Sequence, residues 1–114
     1  MTDYAAVLTA TYPDALWGLT NNDLATLTWD EGNADPKPTV EVLDAAWPAV
    51  RDARKWAQVR AERDRLLTAC DWTQVADAPL TADEKQAWAD YRQALRDVPQ
   101  DFPTPDDVVW PEAP

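Results

Sequence analysis

The chain has 114 residues, enough for one small domain's worth of core, and carries ten prolines against two glycines, seven tryptophans, one cysteine and no histidine. Its formal net charge is −11, and an acidic shell of that kind repels phosphate backbones, which argues against a nucleic-acid partner. With histidine missing, the commonest general base, the Ser-His and Cys-His nucleophile pairs and the commonest metal ligand are missing too.

Gly18 and Gly32 stand alone, so no phosphate-cradling loop can be written. The adjacent acids Asp30–Glu31 and Asp106–Asp107 lack calcium-loop spacing. A carboxylate pair that meets only in the fold stays open as a hydrolytic device. Recognition rather than catalysis is the expectation: no enzyme, no cofactor and no metal. The apolar runs are too short for a membrane span, and the first residues lack the basic start of a secretion signal. A lone cysteine forms no internal disulfide, which is consistent with a cytosolic setting.

The charge is unevenly spread. Residues 1–36 hold Asp3, Asp14, Asp23, Asp30, Glu31 and Asp35 with no base, and the end of the chain from 99 holds Asp101, Asp106, Asp107 and Glu112 with none either. Between 51 and 98 nine bases face nine acids. The bland consequence is solubility; the functional one is attraction to a basic protein partner.

In chain order, Tyr4-Ala5-Ala6-Val7-Leu8 opens a short helix that must end before Pro13, because a residue preceding proline disfavours the helical basin. Asn21-Asn22-Asp23 is a turn cluster between two short alternating runs, which predicts a hairpin pairing about 16–20 with 26–30. The stretch "ADPKPT" then reads as a stiff connector ending in Thr39, an N-cap for a helix from Val40 to Trp47. Pro48 is expected to end or kink that helix, or to begin the next one. From Ala49 to Cys70 apolar residues recur at three- and four-residue steps: Val50, Ala53, Trp56, Ala57, Val59, Leu66, Leu67 and Cys70.

A second strong helix starts at the capping box Thr81-Ala82-Asp83-Glu84 and carries the stripe Ala87, Trp88, Tyr91, Leu95 and Val98, with Pro99 as its expected stop. Residues 71–80 hold Trp72, Val75, Pro79 and Leu80, too apolar for a solvated loop, and are expected to fold back onto the helices. The predicted fold class is α+β, mostly α. A small N-terminal helix and β-hairpin (1–48) precede an antiparallel helical hairpin (49–98) and an extended Pro-rich acidic tail (99–114).

The wording of the second half carries more than its periodicity. A helix ends in R-D-x-L-L at Arg63, Asp64, Leu66 and Leu67, and D-W-T-Q follows at Asp71, Trp72, Thr73 and Gln74. After a short acidic connector come W-x-x-Y-R-x-x-L-R-D at Trp88, Tyr91, Arg92, Leu95, Arg96 and Asp97, then W-P at Trp110 and Pro111. This order of words resembles the tail assembly chaperone family of tailed bacteriophages and is similar to the C-terminal region of tail fibre assembly proteins. The likeness spans about residues 60–111; the preceding K-P-T segment at Lys37-Pro38-Thr39 gives it minor support.

What the resemblance implies is a non-enzymatic helper that binds a tail fibre or receptor-binding protein and assists its folding, trimerisation or attachment. It implies action in the host cytoplasm during assembly, with several copies serving a trimeric fibre. Two alternatives stand beside it: a virion structural component, such as an adaptor or tip cap retained on the fibre, and an acidic effector directed at the host. No nucleic acid or membrane partner is implied.

Trp110 and Pro111 are the candidate anchor for a partner; the competing reading is that Trp110 caps the helices' own core. Arg92 and Arg96 are candidates to grip a carboxylate-rich partner, or else to form salt links to the acidic connector or tail. Cys70, with no base to activate it and Asp71 beside it, reads as a helix-end core residue. Asp71, Thr73 and Gln74 read as the cap that ties down the corner, with Trp88, Tyr91 and Leu95 as core.

Overall fold

In the computed structural model, which describes residues 1–114, the chain opens with α1 (Tyr4–Thr11). Asp3 is its N-cap, its carboxylate accepting from the Ala6 N–H at 3.0 Å. Strands β1 (Trp17–Thr20) and β2 (Asp23–Trp29) form a two-stranded antiparallel sheet with Trp17 opposite Trp29 and Gly18 opposite Thr28. The turn between them, Asn21-Asn22, has φ of 53° and 59°. Two consecutive positive φ values are what the right-handed twist of a tight hairpin demands, and asparagine tolerates them better than most residues. The register slips between Gly18 and Thr20, and Thr26 fills the gap: its hydroxyl accepts from the Thr20 N–H at 2.9 Å and donates to the Asp23 carbonyl at 2.6 Å.

Side-chain amides lock this region. Asn22 accepts from the Tyr4 N–H and donates to the Thr2 carbonyl, each at 2.9 Å, so the hairpin turn is tied to the start of α1. Asn33 pairs with Leu16 as a further strand would, accepting from its N–H at 2.8 Å and donating to its carbonyl at 2.9 Å.

Helix α2 runs from Val40 to Ala69 without interruption. Thr39 is in place at its start, accepting from the Val42 N–H at 3.3 Å. The expected break or restart at Pro48 does not occur. Leu43, Ala46, Trp47 and Val50, on both sides of the proline, pack in one cluster, and a break would forfeit that burial. Pro48 and Asp44, whose carbonyl loses its N–H donor to the proline ring, are both exposed, where an unpaired carbonyl costs less than it would in the core.

The chain forms two compact units, Met1–Ala53 and Arg54–Pro114. In the first, fully buried Val7, Leu8 and Leu43 and nearly buried Leu27 make the core, with Tyr12 and Trp29 in an edge-to-face contact at 5.3 Å around it. Each buried aliphatic side chain stabilises by about 1.5–3 kcal/mol. In the second unit the later part of α2 is followed by a 3₁₀ turn, Asp71–Gln74, then by α3 (Ala82–Asp101) and a short 3₁₀ turn at Pro105–Asp107. The capping box forms: Thr81 accepts from the Glu84 N–H at 3.1 Å, and Glu84 accepts from the Thr81 N–H at 3.0 Å. α3 continues two residues past Pro99, which falls in its last turn and deletes a single bond. The core of this unit is Cys70, Tyr91 and Leu95, with Leu66, Leu67, Trp88 and Trp110 against it. No helix is long and apolar enough to cross a membrane.

Candidate functional site

The second unit is organised around the corner where α2 ends. Helix termini leave carbonyls without partners, and three different donors meet them here. The Cys70 thiol donates to the Leu66 carbonyl at 3.2 Å. The Thr73 hydroxyl, fully buried, donates to the Cys70 carbonyl at 2.7 Å and accepts from the Gln74 amide at 3.0 Å. From the far helix, the Arg92 guanidinium donates to the Leu67 carbonyl at 2.8 Å, lies 3.1 Å from the Cys70 sulfur and pairs with Asp71 at 2.8 Å.

Arg92 therefore points inward. It is only 9 % exposed, and its Nε has no hydrogen-bond partner. Burial pulls the guanidinium's pKa down, but the Cys70 sulfur and the Asp71 carboxylate outweigh it and hold the group above its ordinary value. The group stays charged at every accessible pH, a fixed cation bolting α3 to the end of α2. Arg96, four residues on, is exposed and reaches Gln93 at 3.5 Å. The two arginines thus part company: Arg92's polar edge is turned to its own chain, and Arg96 stands in solvent.

Aromatic rings run outward from the core in sequence. Buried Tyr91 meets Trp88 edge-on at 5.7 Å, and Trp88 meets Trp72 at 6.2 Å. Trp72 ends the series with 49 % of its surface exposed, and Val75, three residues on, is equally exposed. The connector thus folds back only in part: Trp72 leans on Trp88 with half its surface in water, while Thr73 is the residue that enters the core. Lys85 fixes the connector's path by donating to the Val75 and Ala76 carbonyls at 3.3 and 3.1 Å.

Trp110 packs against the Cys70–Tyr91–Leu95 core and is half-buried there, as is Pro111, while the neighbouring Val109 is 71 % exposed. The tail is also held at Pro105, which is buried, and at Asp106, which pairs with Lys55. Trp110, Pro105 and Asp106 border a shallow groove with Lys55, Gln58, Val59 and Glu62. Of the residues singled out from sequence, Asp71, Thr73, Gln74, Arg92, Trp88, Tyr91, Leu95 and Trp110 come together in this unit around one core. Val75 was marked only as one of the connector's apolar residues expected to fold back, and Lys85 was not marked. An apolar residue in the connector was the available signal for Val75, and no local pattern points to Lys85.

No cluster of three or more Cys, Asp or Glu side chains is placed to hold a metal ion. What the corner offers is a rigid frame, apolar surface and negative charge. Comparison with known protein families matches residues 56–114, just over half the chain and nearly all of the second unit, to the phage tail assembly chaperone protein family. No curated protein and no solved structure matches. The matched segment contains the R-D-x-L-L, D-W-T-Q, W-x-x-Y-R and W-P words together with the corner they build, and the chain belongs to the phage tail assembly chaperone family.

Proposed function

We propose that this chain binds a tail fibre or receptor-binding protein in the host cytoplasm and assists its folding, trimerisation or attachment. The observation that carries the reading is the family match over residues 56–114. Physical support comes from the surface. Fibre chains that must intertwine expose apolar area until they do so, and a small acidic protein with exposed tryptophan and valine covers such area without itself aggregating. In this reading the later part of α2 and α3 act together as a helical hairpin, and the residues after Asp101 act as a tail across it. Trp110 belongs first to the chain's own core, so the partner meets the smaller part of its ring that remains exposed, along with Val109 and Pro111.

The test is affinity capture of the tail fibre protein of the same phage by the tagged full-length chain, followed by size-exclusion chromatography. Co-elution supports the reading; separate elution at micromolar concentrations of both overturns it. Mass spectrometry of purified particles then separates a transient helper, absent from the particle, from a retained adaptor or tip cap present in stoichiometric amount.

A further inference from the structure

The half-exposed indole of Trp72 has no task inside the molecule that requires its exposure. Its inner face rests on Trp88 at 6.2 Å and the remainder of the ring lies open, while Val75, three residues on, is equally exposed. The backbone beneath the pair is fixed from three sides. Thr73 is buried and bonded to the Cys70 carbonyl, Asp71 is held by Arg92, and Lys85 grips the Val75 and Ala76 carbonyls. A rigid apolar surface loses little freedom when a partner docks, and tryptophan is among the residues that most often dominate such contacts.

The charge around it is negative on balance. Between residues 71 and 85 the chain carries Asp71, Asp77, Asp83 and Glu84 against the single base Lys85. Asp71 is paired with Arg92 and Lys85 is tied to backbone carbonyls, while Asp77 and Asp83 are exposed acids at the edge of the connector and the start of α3. Glu84 lies one helical turn before Trp88 on the same face of α3.

We propose that the Trp72–Val75 surface is a docking site for an apolar segment of a protein partner that carries lysine or arginine at its flanks. The apolar centre covers the indole and the valine, and the flanking cations meet Asp77, Asp83 and Glu84. The occupant, a segment of the tail protein, rests on the function proposed above; the chemistry of the surface does not.

The test uses the ¹⁵N-labelled full-length chain and two synthetic peptides with the same Leu/Val centre, one flanked by paired lysines and one by paired glutamates, each titrated to millimolar concentration. The lysine peptide should shift the Trp72 indole N–H and the backbone amides of residues 71–84, and the shifts should weaken as salt is raised. Val75→Glu should lower its affinity about tenfold, the scale of a central contact residue. Should Val75→Glu disturb the fold, the charge reversal Asp77→Lys with Asp83→Lys at exposed positions gives the same reading. Equal response to both peptides, shifts centred on Trp110 instead, unchanged affinity in the variants, or no response at all would each overturn the proposal. If the tail protein is captured but the lysine peptide leaves Trp72 untouched, the docking surface is wrong and the chaperone reading stands. If the peptide binds at Trp72 and the tail protein is not captured, the chaperone reading is the one that fails.

Discussion

Replacing Arg92 with methionine keeps an unbranched stem in the corner and removes the guanidinium, which isolates what the charged group contributes. Three contacts are lost, and they differ in weight. The pair with Asp71 contributes about 1 kcal/mol at most, because the Asp71 side chain is 63 % exposed and water screens it. The charge-assisted bond to the Leu67 carbonyl contributes more, about 1.5–3 kcal/mol, although that carbonyl retains the Cys70 N–H at 3.2 Å. Against these stands the cost of burying a guanidinium whose Nε finds no partner, which the methionine variant relieves. The net expectation is a loss of about 2 kcal/mol for Arg92→Met. Arg92→Ala also leaves a void where the stem packed, bringing the loss to about 4 kcal/mol. Urea unfolding followed by circular dichroism measures both, and amide hydrogen exchange at Thr73 localises the effect. An Arg92→Met variant as stable as the parent, with unchanged exchange at Thr73, would refute the assignment of Arg92 as the bolt between α3 and the end of α2.

The capping box makes Thr81→Ala cost about 1 kcal/mol, read in the same urea experiment. Backbone and side-chain hydrogen bonds at Thr81 hold the Glu84 carboxyl below its ordinary value, so its contribution is present above the unfolded pKa and fades as pH falls through the lower folded one. The gap between parent and Thr81→Ala should therefore narrow on acidification, and a gap that widens would contradict the box. Gly18→Ala places a Cβ 2.8 Å from the Thr28 hydroxyl oxygen and should cost about 1 kcal/mol, most of it recovered when Thr28→Ala is added; a double-mutant cycle with no coupling would refute the contact. Asn22→Ala loses both side-chain bonds to the start of α1 and strains the backbone at φ 59°, for a combined loss of about 2 kcal/mol. Asn22→Gly keeps the backbone free and should lose about half as much, so equal thermal shifts in the two variants would show that the strain is absent.

The parts of the fold that were legible in the sequence are those decided within a few residues. Thr81 and Glu84, Thr39 before Val40, and the turn asparagines all act on backbone close by, and each is where its spacing predicts. Pro48 was misleading because proline's cost is local whereas the burial that keeps α2 continuous comes from Leu43, Ala46, Trp47 and Val50 together. Arg92 was ambiguous for a related reason. Its partner carbonyl lies 25 residues away, and nothing in a helix pattern tells an inward arginine from an outward one. Asn33, which supplies a strand's worth of hydrogen bonding to Leu16, left no trace beyond its place near a glycine. The exposure of Trp72 is the sharpest instance. Apolar composition implies burial, and only the finished corner shows that Thr73 takes the inner position and leaves the indole half in water.

The most direct test of the central claim is coexpression of the phage's tail fibre protein with and without this chain, measuring the yield of soluble trimer that survives detergent on a gel. The account predicts a several-fold higher yield when the chain is present. The same yield in its absence, from a chain verified as folded, would contradict it.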